Sequence, residues 1–158
     1  MTRARIAVLA SGGGTNLQAL LDHFDELGDQ RGGDVVLVAS DRGGAGALLR
    51  ARAHSIHAAH VPITRESGAA SAASALETLL AEHRVDLVVL AGYLRLVPPD
   101  IVRRYAGAII NVHPALLPAF GGSGMYGLNV HQAVLDAGVA ISGVTVHFVD
   151  EVYDRGTI

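Results

Sequence analysis

The sequence predicts an α/β fold, an open, mostly parallel, Rossmann-like sheet with helices on both faces. Three observations carry that reading. Short apolar runs alternate with stretches of helical spacing along most of the chain. The run Leu87 to Ala91 is apolar throughout, as a parallel strand covered on both faces requires. The last run alternates, with Val144, Val146 and Phe148 on one face and Thr145 and His147 on the other, which fits an edge or antiparallel strand.

Arg5 to Ala10 reads as the first strand and stops at Ser11-Gly12-Gly13-Gly14. Leu17, Leu20, Leu21 and Phe24 recur at helical spacing from Asn16 to Leu27, and Gly28 offers a C-terminal cap. Val35 to Ser40 is a second strand, Gly46 to Ala53 a short helix, and His57 to Ile63 a third strand. Ser71 to His83 is an alanine- and leucine-rich helix. Pro98 and Pro99 suit a helix start running to Tyr105. Ala108 to Val112 is the fifth strand, Asn129 to Ala137 a helix and Ile141 to Val149 the last strand. No repeat or linker interrupts this order, so residues 1–158 read as a single domain.

Composition narrows the function. Half the residues are hydrophobic and 17% are charged, which excludes a disordered chain. A net charge of −3 gives no basic field for nucleic acid or a membrane surface. Cysteine is absent, which excludes disulfides, thiol nucleophiles and zinc–thiolate sites. All twelve basic side chains are arginine, so Schiff-base and P-loop lysines are excluded too. The N-terminus lacks the apolar stretch of a signal peptide and no run is long enough to span a bilayer; the expectation is a cytoplasmic protein.

Two segments carry chemistry. In Ser11-Gly12-Gly13-Gly14-Thr15-Asn16 the glycines let backbone approach an anion, and the helix start beyond them presents free N–H groups. The same residues also suit a plain tight turn capped by Thr15 or Asn16. A nicotinamide-dependent oxidoreductase fits poorly, because the third glycine of that fingerprint would fall at Leu17. Asp41, ending the second strand, serves a ribose in that reading and a turn in the plain one.

Asn111 and His113 lie two apart at the end of the fifth strand and so share a face. An amide donor beside an imidazole suits attack on a carbonyl, where charge grows on oxygen and a proton must move. They serve equally as a loop anchor before Pro114. Asp154 is a candidate third member, since a carboxylate beside an imidazole orients it and favours its charged form. Nothing in the sequence brings the two together. His54, His57 and His60 lack partners for a metal, His131 reads as a helix-surface residue and His147 as a packed, satisfied polar one.

In this order, the segments Ala10 to Ala19, Leu90-Ala91-Gly92-Tyr93-Leu94-Arg95, Asn111 to Pro118, and Val146 to Glu151 followed by Asp154 resemble the phosphoribosylglycinamide formyltransferase family over nearly the whole chain. The resemblance implies formyl transfer from 10-formyltetrahydrofolate to the amine of glycinamide ribonucleotide, with no metal. It implies that Gly12, Gly13, Gly14, Thr15 and Asn16 hold the phosphate, and that Arg65, Leu94, Arg95, Leu96 and Val97 line the folate. Asn111 would hold the formyl oxygen, His113 act as the acid and Asp154 pair with it.

The sequence departs from the family pattern at Thr157, where a proline is usual, and in a longer segment from Gly121 to Gly127. The family usually continues with another strand and helix, so the resemblance implies a chain shortened at its C-terminus. The competing readings are a ligand-holding fragment without turnover and a sister formyltetrahydrofolate deformylase.

Overall fold

The run Ile6-Ala7-Val8-Leu9 is shielded from solvent and forms the body of β1 (Ala4–Leu9). In this computed structural model, which describes residues 2–63 and 68–158, β1 lies between β2 (Gly33–Ser40) and β4 (Leu87–Leu90), parallel to both. β3 (His57–His60) pairs in parallel with the outer side of β2, giving the order β3-β2-β1-β4. Three helices follow strands in this first unit, which ends at Arg95. α1 (Thr15–Leu27) buries Leu17 and Leu21, one turn apart. Gly28 caps it, its N–H donated to the Phe24 and Asp25 carbonyls. α2 (Gly46–Ala53) buries Ala47, Leu48 and Ala51; α3 (Gly68–Glu82) buries Ala72, Leu76 and Leu80 at a spacing of four.

The second unit, Leu96–Ile158, holds α4 (Pro99–Arg104), β5 (Ile109–His113), α5 (Leu128–Asp136) and β6 (Thr145–Phe148). β5 and β6 are antiparallel, with Asn111 opposite His147 and His113 opposite Thr145. Ala115, Val130 and Val134 form a small core against which Phe120 and Met125 pack.

β4 ends one residue short of the sequence reading, at Leu90, and two other strands are shortened by more. β3 stops at His60 because β2 ends at Ser40, whose carbonyl takes one more bond from the Val61 N–H before Pro62 ends donation. β6 begins only at Thr145 because its partner there is His113, and Pro114 beyond it has no N–H to offer. The predicted alternation along β6 is present, with the polar side inward. Thr145 and His147 are buried, whereas Val146 and Phe148 are 51% and 44% exposed. Thr145 is satisfied there: its Oγ1 donates to the Ala115 carbonyl at 2.7 Å and accepts the Leu117 N–H at 3.0 Å. Among the described residues no helix is long and apolar enough to cross a membrane.

Adjacent leucines of α2 test this packing. Leu48 is fully buried and Leu49 is 64% exposed. Leu48→Ala is expected to cost about 2–5 kcal/mol of unfolding free energy, and Leu49→Ala no more than about 0.5 kcal/mol. Urea unfolding measures both, and equal losses would show that α2 does not pack as described.

Candidate active site

The β5–β6 register builds the second unit's polar centre. Asn111 faces His147 across the ladder, its Nδ2 lying 3.1 Å from His147 Nε2 and 3.3 Å from Asp154 Oδ1. His147 Nδ1 donates to the Phe148 carbonyl at 2.8 Å, so Nε2 of the neutral ring is the acceptor for Asn111. That bond fixes which end of the Asn111 side chain carries the donors. His113 Nε2 donates to the Phe120 carbonyl at 2.9 Å, and its Nδ1 lies 3.6 Å from Asp154 Oδ1. Both ring nitrogens thus look at acceptors. His147 Nε2 is 3.5 Å from the same carboxylate oxygen.

Asp154 reaches this centre from the loop after β6. The Gly122 N–H holds its Oδ2 at 2.9 Å. Its φ of 55° is left-handed, an uncommon conformation for a residue with a side chain and one found at constrained sites. The loop is closed behind it by the Phe148 N–H donated to the Thr157 carbonyl at 2.8 Å. It is tied to α4 by Glu151, which pairs with Arg103 at 2.9 Å; Arg103 also pairs with Asp100. Gly156 passes so close to the Phe148 carbonyl that a Cβ there would collide with it. A cavity of about 480 Å³ opens beside the carboxylate, lined by Leu117, Pro118, Gly122, Tyr153 and Arg155 among others.

Asn111, His113 and Asp154 therefore lie together in the fold. His147, which the sequence reading treats as a packed polar residue, is a fourth member. The signal for it is periodic: Thr145 and His147 are two apart on a strand, mirroring Asn111 and His113 on the partner. Among the described residues no group of three or more histidines or acids is arranged to hold a metal ion.

The first unit carries the glycine turn. Gly14, at φ 76°, is the N-cap of α1 and contributes no side-chain cap, and among the described residues neither Thr15 nor Asn16 supplies a side-chain hydrogen bond in its place. Among the described residues, the N–H groups from Gly12 to Asn16 donate no hydrogen bond. This leaves the donor-rich helix start that an anion requires. Ser11 joins the turn to the segment after β4: its N–H is donated to the Gly92 carbonyl at 3.0 Å, and its buried Oγ accepts the Leu94 N–H at 2.9 Å. Arg95 Nε pairs with Asp41 Oδ2 at 3.1 Å. Arg95 thus takes up one oxygen of that carboxylate, and Oδ1 is buried without a partner among the described residues. Leu96 is half-exposed and Val97 buried. Arg65 lies outside the described residues.

Comparison with known proteins finds one family. The family model described as "Formyl transferase" matches residues 4–158. Phosphoribosylglycinamide formyltransferase of Haemophilus influenzae is 38% identical over 156 residues, which are 98% of this chain and 69% of that protein. The chloroplastic phosphoribosylglycinamide formyltransferase of Arabidopsis thaliana is 42% identical over 157 residues, 99% of this chain and 53% of that protein. Glycinamide ribonucleotide transformylase 1 from Symbiobacterium toebii superposes with a TM-score of 0.87 at 42% identity, over 98% of this chain and 69% of that one. The chain spans about half the length of the plant relative.

Two measurements follow from the site. Gly156→Ala forces the Asp154 loop away from Phe148 and is expected to cost about 1–3 kcal/mol in urea unfolding. Gly32→Ala, whose Cβ would meet nothing within 4 Å among the described residues, is the neutral control. Parity of the two would remove the constraint assigned to the loop. Burial, and after it the Asp41 carboxylate, push the Tyr93 phenol from 10.0 up to about 12. Between those pH values the unfolded chain has lost a proton that the folded chain keeps, so stability falls as pH rises. Tyr93→Phe should flatten that fall between pH 10 and 12, and an unchanged slope would assign it to other groups.

Proposed function

The chain belongs to the phosphoribosylglycinamide formyltransferase family of formyl transferases, and on that premise we propose that it moves a formyl group from 10-formyltetrahydrofolate to the amine of glycinamide ribonucleotide, a step of purine biosynthesis. One observation carries the proposal. Asn111, His113 and Asp154, the residue types that formyl transfer needs, converge around a single carboxylate oxygen. The family match runs through both compact units, and in this reading they serve as one formyltransferase domain. Its proposed place is the cytoplasm; the plant relative is chloroplastic by name.

In this reading Gly12 to Asn16 hold the nucleotide phosphate through their unspent N–H groups. Leu94 to Val97 and Arg65 bind the folate. The amine nitrogen attacks the formyl carbon, a C–N bond forms and the carbonyl electron pair moves onto oxygen. Asn111 Nδ2 stabilises that charge, exchanging its longer contact, the 3.3 Å one to Asp154, for the developing oxyanion. Collapse breaks the bond between the formyl carbon and the folate nitrogen. The amine gives up one proton overall and the folate nitrogen gains one. His113 supplies the proton from Nε2, which exchanges the Phe120 carbonyl for the folate nitrogen, while Asp154 on the Nδ1 side orients and balances the imidazolium.

The assay is direct: incubate the 158-residue chain with both substrates and follow tetrahydrofolate. Asn111→Ala and His113→Ala should each slow transfer by about 10²–10³, with nucleotide affinity by calorimetry preserved. Asp154→Asn keeps the shape, removes the charge and should also slow transfer. Absence of turnover in a folded chain that binds both ligands would leave binding without catalysis as the function.

A further inference from the structure

The carbonyls of Gly12 and Gly13 both turn toward α2. The Gly12 oxygen accepts the Ala47 N–H at 3.1 Å, and the Gly13 oxygen accepts Arg50 Nε at 2.9 Å. A trans peptide carries its carbonyl and the following N–H on opposite sides. The same two bonds therefore aim the N–H groups of Gly13 and Gly14 away from α2, on the side where no described residue takes them. Turn and helix are in close contact. A Cβ on Gly46 would fall 2.9 Å from the Gly13 oxygen, and one on Gly14 would fall 2.6 Å from Ala47 Cα. Arg50 is itself held: its Nη1 donates to Gln18 Oε1 at 3.0 Å, and Gln18 Nε2 donates to Asp22 at 2.8 Å.

We infer that Arg50 is a positioning residue for anion binding by the glycine turn, acting through the Gly13–Gly14 peptide plane rather than by contact with the ligand. This rests on the reading of the turn as the nucleotide's phosphate site. Of the two anchors on the turn's carbonyls, Arg50 is the one a substitution can remove, since the other is backbone. A cation on the Gly13 carbonyl also polarises the peptide and strengthens the Gly14 N–H as a donor.

A cycle of two ligands and two substitutions tests it. Arg50→Met keeps the apolar stem and loses every donor; Arg50→Lys keeps the charge but cannot hold both Gly13 and Gln18 in one planar fork. Each protein is titrated by NMR with glycinamide ribonucleotide and with the same compound lacking its phosphate, and its urea midpoint is recorded. Arg50→Met should weaken the phosphorylated ligand about tenfold and leave the other unchanged, with Arg50→Lys between. If Arg50→Met does not fold, the same comparison is read from Arg50→Lys. Equal weakening of both ligands, or none, overturns the inference. A wild-type chain that binds both ligands equally overturns the phosphate reading beneath it, and the inference with it.

Discussion

Asp154 Oδ1 is the atom on which the second unit's interior depends. Its side chain is 8% exposed, and a carboxylate so far from water is tolerated only among matching donors. Asn111 Nδ2 and His113 Nδ1 lie 3.3 and 3.6 Å from it, His147 Nε2 accepts from Asn111 and so holds that donor in place, and the Gly122 N–H holds the other oxygen. Each partner imposes its own demand. Asn111 and His147 require the antiparallel register of β5 and β6. Gly122 requires the loop before α5 to fold back, and the carboxylate itself requires a left-handed backbone at Asp154. Register, loop path and local strain are thus parts of one electrostatic arrangement, and losing any one of them leaves a buried charge short of partners.

Much of the first unit was legible because its burial is local and one-sided. Leu17 and Leu21 on α1, and Ala72, Leu76 and Leu80 on α3, repeat at the period of a helix face, and Ile6 to Leu9 is a continuous apolar strand. Asn111 and His113 could be assigned to one face by counting two residues along a strand. Asp154 could not be placed by any such count. Its meeting with His113 depends on strand register and a positive φ, which neither propensity nor periodicity encodes, and only the resemblance to a family pointed to it.

β6 shows that an alternating pattern does not by itself say which face is buried. Its valines and phenylalanine suggest the buried face, yet Thr145 and His147 lie inside because Ala115, Leu117 and Asn111 supply their hydrogen bonds. A polar interior is stable when every member is paired. Arg50 escaped notice for a different reason. In Leu48-Leu49-Arg50-Ala51-Arg52 it has the look of a solvated helix face, and only the fold brings it to the Gly13 carbonyl.

The glycines around the first turn divide into two kinds. A Cβ at Gly12 or Gly13 would meet nothing within 4 Å among the described residues, whereas at Gly14 or Gly46 it would press into backbone atoms. The folded chain alone therefore excludes larger residues at 14 and 46 and is indifferent to them at 12 and 13. A genetic screen that scores abundance would recover variants at the first pair and lose them at the second. Under the proposed function, a screen that scores growth without supplied purines would lose both. The difference between the two maps isolates, within four residues of backbone, what the ligand demands from what the fold demands.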